Sequence, residues 1–253
     1  MRWTLKPKPQ LDKIKVLQQV LDIDAKIATL LLQRGIETFE EAKTFFRPSL
    51  DDLHNPFLMK DMDKAVARIE KAIANKEHIL VYGDYDVDGT TSVALMSSYL
   101  KTKHDGVATY IPDRYDEGYG ISYKGIDFAN DNDFSLIIAL DCGVKAIEKV
   151  TYAKQLGIDF IICDHHRPAD KLPDAIAILD PKREDCKYPF KELCGCGVGF
   201  KLIQALASNE GKTVEDLTEY LDLVATAIGA DIVPVNGENR ALAYFGLQVI
   251  NSN

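Results

Sequence analysis

A turn of carboxylates is the first feature of this 253-residue sequence that could do chemistry. Asp84, Asp86 and Asp88 occupy alternate positions in the stretch from Val81 to Thr91. In an extended segment such side chains point to one side and lie roughly 6.5 Å apart. Three negative charges this close repel one another unless a cation lies among them. The spacing favours a metal site, and a solvated acidic turn is the alternative.

The same turn matches the opening of an EF-hand calcium loop, whose pattern begins D-x-D-x-D-G. That loop needs a bidentate Glu at its twelfth position and a helix on each side. Counted from Asp84, the twelfth position is Leu95, and the apolar run Ile79 to Val81 before the turn is typical of a strand. The sequence therefore excludes a calcium loop.

Two adjacent histidines form a second candidate group, because His165 and His166 follow Asp164 at the end of an apolar run. Oxygen and imidazole ligands together suit manganese, magnesium and other first-row divalent ions. With the carboxylates, these residues would provide enough ligands for two ions. Two ions about 3.5–4 Å apart can activate a water and hold the oxygens of a phosphoryl group.

Five apolar runs, each ending in an aspartate, predict the fold that positions these residues. The aspartates are Asp84, Asp113, Asp141, Asp164 and Asp180. Helix-length segments separate most of the runs, for example residues 89–103, 122–130 and 145–156. This alternation indicates an α/β fold with a mostly parallel, five-stranded sheet flanked by helices. Ligands of such sheets bind beyond the carboxyl ends of the strands, where all five aspartates fall.

The remaining segments read as helices. Residues 1–60 predict a helical appendage without chemistry: apolar residues recur at helical spacing from Leu11 to Gly35, and Thr38 to Glu41 forms a capping-box pattern. A Gly-rich turn at 193–199 opens a helix to about residue 207, and further helices are predicted at 214–228 and 239–250. We divide the chain into this appendage and a main domain at 61–253.

Composition narrows the class of protein. The sequence is 46% hydrophobic and 27% charged, and no apolar run reaches membrane-spanning length. A signal-peptide core is also missing, so we expect a cytoplasmic protein without a membrane partner. The five cysteines include no Cys-x-x-Cys pair and are expected to be reduced packing residues. A net charge of −9 argues against a general polyanion-binding surface but allows a local one.

Four motifs, in order and spacing, resemble those of the DHH phosphoesterases. They are residues 84–89, 140–143, 164–166 and 229–231. Within this superfamily the chain is most similar to the RecJ family of single-strand-specific 5′-to-3′ exonucleases. Segments 111–114, 117–120, 193–198 and 230–234 support that similarity, which extends over nearly the whole chain.

The resemblance implies a role for each matched residue. The implied metal ligands are Asp86, Asp88, Asp141, His165 and Asp231. Asp141 would bridge two ions, Asp84 would lie close by or bind as well, and Asp164 would orient its neighbours. His166 would face the scissile phosphate and stabilise its developing charge, so Asp84, Asp141 and His166 form the implied catalytic set.

Substrate contacts are also implied by the resemblance. Arg114 would bind a phosphate, and the alternative is a surface salt bridge. The amides around Gly195 and Gly197 would hold another phosphate at a helix start, and the alternative is a plain tight turn. Relatives that act on pyrophosphate or small nucleotides begin their first motif with histidine, whereas this chain has Tyr82, which favours the nuclease branch.

The implied function is metal-dependent hydrolysis of phosphodiester bonds, as a 5′-to-3′ exonuclease on single-stranded DNA in DNA repair and recombination. Two divalent cations are expected, Mn²⁺ first and Mg²⁺ as the alternative, with replication or repair proteins as candidate partners. A phosphodiesterase for short oligonucleotides or cyclic dinucleotides and a non-catalytic replication scaffold are the alternatives. Family exonucleases continue into a second substrate-binding domain, so a sequence that stops at Asn253 is expected to be the N-terminal catalytic part.

Overall fold

A parallel sheet forms the centre of the main part of the chain. The computed structural model describes residues 4–252, and its strands are β1 (His78–Gly83), β2 (Val107–Tyr110), β3 (Phe134–Leu140), β4 (Asp159–Cys163) and β5 (Ala177–Leu179). Their order is β2-β1-β3-β4-β5, and every neighbouring pair is parallel. The predicted α/β fold with five strands is confirmed, and the sheet is parallel throughout.

Ten α-helices accompany the sheet among the described residues. They are α1 (Leu11–Leu21), α2 (Ala25–Leu32), α3 (Phe39–Phe46), α4 (Met62–Ala74), α5 (Val87–Lys101), α6 (Tyr123–Asp131), α7 (Ile147–Gln155), α8 (Gly195–Asn209), α9 (Leu221–Asp231) and α10 (Gly237–Ser252). Short 3₁₀ helices lie at Leu50–Asp52, Pro56–Leu58 and Val214–Tyr220. Within this described part, no helix is both long and apolar enough to cross a bilayer.

The sheet is covered on both faces, which explains why its strands are continuously apolar. Leu80 and Tyr82 of β1 share one core with residues of α6 and α7, among them Ile126 and Val150. The alternate residues of β1 face the other side, where Gly83 lies directly under Val93 of α5. Helices α5 and α8 pack on this second face against β3. Neither face of the central strands meets water.

The chain reverses its direction of winding between β1 and β3. From β1 it crosses through α5 to β2 on one side, whereas β3 and β4 lie in sequence on the other side of β1. Loops after β1 and β3 therefore diverge and leave a crevice at the carboxyl edge, which is where open α/β sheets bind ligands. Asp84 follows β1 and Asp141 follows β3, so both lie at this crevice.

The first residues form a unit of their own, because the chain divides between Asp52 and Leu53, whereas the sequence-based boundary lies after residue 60. The capping box of α3 is confirmed by reciprocal bonds between Thr38 and Glu41. The single helix suggested by the spacing from Leu11 onwards is wrong. Asp22 adopts a left-handed conformation with φ of 51° and separates α1 from α2.

The predicted helix at 214–228 also differs, since residues 214–220 form a 3₁₀ helix and α9 continues to Asp231. Asp231 is therefore the last helical residue rather than part of the following loop. All five cysteines are reduced and buried, as the composition predicted.

Candidate active site

The carboxyl edge of the sheet brings together carboxylates and imidazoles from four stretches of the chain, the first of which contains both Asp84 and Asp88. Asp84 lies after β1, Asp88 in the first turn of α5, Asp141 after β3, and His165 and His166 after β4. Asp231 reaches the same place from the end of α9. These segments are distant in sequence, and the parallel sheet is what aligns them.

His165 is at the centre of this cluster. Its Nε2 atom lies 3.2 Å from Oδ1 of Asp141. The same nitrogen lies 3.7 Å from Oδ2 of Asp88 and 3.7 Å from Oδ2 of Asp231. Two groups of ligand atoms result, each within 4.8 Å: Asp141 with both histidines, and His165 with Asp88 and Asp231. The two groups overlap at His165, so their candidate ligand atoms lie close together at this end of the sheet.

The donor atoms fit divalent cations, because several of them are buried without a hydrogen-bond partner. These atoms are Oδ2 of Asp84, Oδ1 of Asp141 and both ring nitrogens of His165. Buried polar atoms in proteins are nearly always paired, so a set of unpaired oxygen and nitrogen donors points to an ion. The residues present therefore match the chemistry of manganese or magnesium.

Asp141 has a strongly raised pKa within the cluster. Burial raises its pKa to about 10, and the nearby charges of Asp88 and Asp86 contribute to the rise. The residue also adopts a left-handed conformation with φ of 58°, a geometry that tends to persist at functional sites. A cation would offset the repulsion that disfavours its charged form.

The backbone amides at the start of α8 bind the Asp88 carboxylate and are not open to an external anion. Oδ2 of Asp88 accepts a bond from the Gly195 amide at 2.6 Å, and Oδ1 accepts one from the Cys196 amide at 2.7 Å. The Gly197 amide donates to Sγ of Cys194 at 3.3 Å. The phosphate-binding role predicted for the amides of Gly195 and Gly197 is therefore corrected, since both already have partners inside the protein.

Gly195 has a different reason to be glycine. A Cβ atom at this position would lie 2.5 Å from the Cβ of Asp141. Only a residue without a side chain lets the first turn of α8 pack directly against Asp141 while its amides reach Asp88. The helix start thus brings two candidate ligands, Asp88 and Asp141, to one place.

His166 is fixed through both of its ring nitrogens. Its Nδ1 atom bonds Oδ1 of Asp164 at 2.8 Å, and its Nε2 atom lies 3.2 Å from the Tyr119 hydroxyl. Asp164 also accepts bonds from the amides of Val144, His165 and His166, so it is fully occupied within the protein. This geometry supports the orienting role predicted for Asp164.

Three residues lie at the rim of the cluster. Asp86 is exposed and caps α5 by accepting a bond from the Gly89 amide at 2.9 Å, outside both ligand groups, so its role as a ligand stays a prediction. Arg114 is exposed and forms no ion pair among residues 4–252; its guanidinium lies 5.1 Å above the ring of Tyr85. The Tyr85 ring in turn meets Tyr119 edge-on at 6.2 Å.

Tyr82 does not face the cluster, although the sequence marked it as informative. It is fully buried on the α6 side of the sheet, where its hydroxyl donates to the Gly120 carbonyl at 2.9 Å and accepts from the Ser122 amide at 3.1 Å. It fixes the loop whose Gly120 amide donates to Oδ1 of Asp84 at 3.3 Å. Tyr82 therefore shapes the site indirectly.

Sequence reasoning gave no role to Tyr119 or Asp180. Tyr119 was visible only as part of the motif at 117–120. Asp180 ends the fifth apolar run and is fully buried; burial raises its pKa to about 7, and its Oδ2 has no partner among the described residues. The sequence feature that could have marked Asp180 is its position at the end of an apolar run, which it shares with the other four aspartates.

The chain is similar to proteins of a known family. The model "DHH family, N-terminal domain" matches residues 78–228. The single-stranded-DNA-specific exonuclease RecJ of Bacillus subtilis (strain 168) is 44% identical over 248 residues, which cover 98% of this chain and 31% of that protein. The chain thus spans about a third of the length of this relative.

Two solved structures of RecJ from Thermus thermophilus have the same fold. The complex with Mn²⁺ superimposes with a TM-score of 0.79 at 27% identity, over 97% of this chain and 34% of that one. The complex with Mg²⁺ gives a TM-score of 0.67 at 26% identity, over 97% of this chain and 31% of that one. Because the matched model covers more than half of its residues, the chain belongs to the DHH family.

Proposed function

We propose that this chain is the catalytic part of an exonuclease that removes nucleotides from the 5′ end of single-stranded DNA in repair and recombination. The observation that carries the proposal is the cluster around His165, in which buried carboxylate and imidazole atoms lack partners. Similarity to single-stranded-DNA-specific exonucleases supports the substrate. A cytoplasmic location and partners from replication or repair belong to the same proposal.

Two divalent cations, Mn²⁺ or Mg²⁺, would be held by Asp88, Asp141, His165 and Asp231, with Asp84 and Asp86 beside them. When bound, the cations supply an activated water and offset the charge that builds on the phosphoryl oxygens. The related RecJ structures with Mn²⁺ and Mg²⁺ support this choice of ions.

His166 would stabilise the transition state from beside the cluster, where its Nδ1 atom lies 4.0 Å from Oδ1 of Asp141. Its hydrogen bond to Asp164 raises its pKa to about 9. Nδ1 is committed to Asp164, which leaves Nε2 to donate a bond. A phosphoryl oxygen that replaces the Tyr119 hydroxyl at Nε2 would receive a charge-assisted hydrogen bond as its negative charge develops.

The chain has a net charge of −9, so it offers few unpaired positive side chains to neutralise the phosphates of a long DNA strand. Phosphate-neutralising contacts supply most of the affinity for nucleic acid. We therefore propose that the remaining two thirds of the RecJ length, beyond the part matched here, provides most of the strand affinity.

Digestion of labelled DNA tests the proposal. With Mn²⁺, a single strand labelled at its 5′ end should lose the label as mononucleotide at once, whereas a 3′-labelled strand should shorten progressively. The Asp141→Ala protein should do neither. A preference for cyclic or linear dinucleotides over the long strand would favour the alternative enzyme. Equal manganese content in the wild type and the Asp141→Ala protein would contradict the metal site and favour a scaffold.

A further inference from the structure

Asn239 is a fully buried polar residue that lies outside the metal cluster. It belongs to the first turn of α10. Its Nδ2 atom donates to the Glu192 carbonyl at 2.5 Å and to the Pro234 carbonyl at 3.1 Å. Both hydrogens of the amide group are thereby used, because an asparagine NH₂ group has two. One side chain thus joins two segments that are distant in sequence.

Each of the two carbonyls belongs to a segment that supports a candidate metal ligand. Pro234 follows closely after Asp231, which is the last residue of α9. Glu192 lies just before α8, whose first amides bind the Asp88 carboxylate. Asp88 and Asp231 are the two carboxylates of one ligand group around His165. The buried amide therefore connects the supports of both carboxylates.

The Glu192 end of this connection is held by further buried contacts. Glu238, the neighbour of Asn239 in α10, accepts a hydrogen bond from the Tyr188 hydroxyl at 2.7 Å. It also accepts one from Nζ of Lys201 in α8 at 3.2 Å. All three side chains of this group are buried. The first turn of α10 is therefore fastened both to α8 and to the segment that precedes α8.

The loop after Asp231 is strained, so its path depends on contacts with the rest of the domain. Ile232 adopts a left-handed conformation with φ of 59°, which is unfavourable for a β-branched residue. Its side chain is 85% exposed and contributes little packing. Strained backbone persists only where the surrounding structure holds it. The hydrogen bond from Asn239 to the Pro234 carbonyl is a buried contact that holds this loop.

The chemistry of Asn239 suits the holding of two carbonyls rather than packing. Its Oδ1 atom is buried and has no hydrogen-bond partner among residues 4–252. Buried polar atoms are nearly always paired, and leaving one unpaired destabilises the folded state. Leucine, which has a similar volume, would avoid that cost but could donate to neither carbonyl. The two hydrogen bonds are therefore what asparagine provides at this position.

We propose that Asn239 is a positioning residue for Asp231. Anchored on the Glu192 carbonyl, it holds the loop after α9 in the path that brings the Asp231 carboxylate to His165. It touches neither cation nor substrate and acts only through that carboxylate. The inference rests on the proposed function, because that function makes Asp231 a metal ligand. Asn239 lies outside the residues that the family model matches.

A double-mutant cycle on manganese binding, followed by the paramagnetic resonance of free Mn²⁺, tests this assignment. We expect Asn239→Ala to weaken Mn²⁺ affinity about tenfold, because metal sites lose affinity when a supporting hydrogen bond is removed. In the Asp231→Asn background the same substitution should cause no further loss, since the carboxylate through which it acts is gone.

Two further variants separate positioning from packing. Asn239→Leu restores most of the volume but no donor, so it should bind Mn²⁺ as weakly as Asn239→Ala does. Asn132→Ala is the matched control, because Asn132 also donates its Nδ2 to a backbone carbonyl, that of Phe128 at 2.8 Å, but at an exposed helix end. This control should keep the wild-type affinity. Urea unfolding in EDTA shows the conditions under which every variant is folded.

The inference is overturned if folded Asn239→Ala binds Mn²⁺ as the wild type does, if Asn239→Leu restores the affinity, or if the losses from Asn239→Ala and Asp231→Asn add. Manganese binding needs no DNA, so the cycle can be read even from a chain that digests none. Additive losses in a chain that digests DNA would refute the role of Asn239 alone. Coupled losses in a chain that digests no DNA would refute the proposed function alone.

Discussion

Asp88 and Asp231 are both candidate ligands beside His165, yet their surroundings differ. Asp88 is buried, and both of its carboxylate oxygens accept bonds from backbone amides of α8. Asp231 lies at the exposed end of α9, and its side chain keeps 31% of its surface accessible. Asp88 therefore has a structural role besides its predicted role as a metal ligand, whereas Asp231 has the predicted role alone.

Replacing each of these carboxylates by its amide should separate the two roles. Asp88→Asn and Asp231→Asn should both lower manganese content, because each removes a charged ligand. In EDTA only Asp88→Asn should lose stability, by about 1–3 kcal/mol, since its NH₂ group would oppose a buried amide N–H. Elemental analysis and denaturant unfolding measure the two effects. Equal stability of the two variants in EDTA would refute the structural role of Asp88.

At the scale of elements, the start of α8 decides how the loops after β1 and β3 meet. The helix contributes two amides to Asp88 and packs its first residue against Asp141. Gly195 permits this approach, whereas Gly229 in α9 has nothing within 4 Å of the position its Cβ would take. The two glycines thus provide a matched pair for testing close helix packing near the site.

Gly195→Ala should disturb the site from outside the ligand set. Its Cβ would force α8 away from Asp141 at a cost of about 1–3 kcal/mol in the free energy of unfolding, and manganese content should fall with it. Gly229→Ala should leave manganese content unchanged and gain up to about 1 kcal/mol, because alanine favours a helix. Urea unfolding with and without Mn²⁺ measures both. Full manganese binding by Gly195→Ala would show that close packing of α8 is not required.

At the scale of the whole domain, charged side chains at the two ends of the strands differ in how they are paired. At the carboxyl edge, one oxygen each of Asp84, Asp141 and Asp180 has no hydrogen-bond partner among the described residues, whereas the charged side chains at the amino edge are paired. There Arg68 of α4, only 9% exposed, bonds Glu77 before β1 at 2.7 Å and Asp159 of β4 at 2.6 Å. Ser135 of β3 donates a further bond to Glu77 at 2.6 Å. This network joins α4 to β3, to β4 and to the residue before β1, at the end of the sheet opposite the candidate site.

The amino-edge network predicts how stability depends on pH. Burial by itself would raise the pKa of Glu77, but hydrogen bonds from Ser135 and Arg68 lower it to about 2. Because the folded pKa lies below the ordinary value of 4.5, the contribution is fully present above pH 4.5 and is lost as pH falls towards 2. In thermal unfolding experiments in EDTA at pH 6, the Glu77→Gln protein should have a melting temperature well below that of the wild type.

That difference should shrink as the buffer is acidified from about pH 4.5 to about pH 2.5, since the wild-type carboxylate is then progressively protonated. Glu184→Gln, at an exposed position, is the control and should follow the wild type throughout. A difference between Glu77→Gln and the wild type that stays constant over this range would contradict the assigned pKa.

The sequence by itself determined the architecture and most of the candidate residues that meet at one edge of the sheet. Apolar runs that alternate with helices allow little besides a parallel sheet, and parallel strands must carry residues such as Asp84, Asp141 and His165 to one edge. Local signals were equally direct, as in the capping box at Thr38. These features depend on neighbours in the chain, so the pattern of residues is enough to reveal them.

Tertiary structure alone decided what the amides of α8 bind and which loops meet beside His166. Gly195 looked like part of a phosphate loop, but its partner Asp88 lies 107 residues away and no local pattern links them. Tyr119 and His166 likewise come from separate loops, and the Tyr119 hydroxyl lies 3.2 Å from Nε2 of His166. Such pairings arise from packing between distant segments, because the free energy that selects them is gained only when the whole domain has assembled.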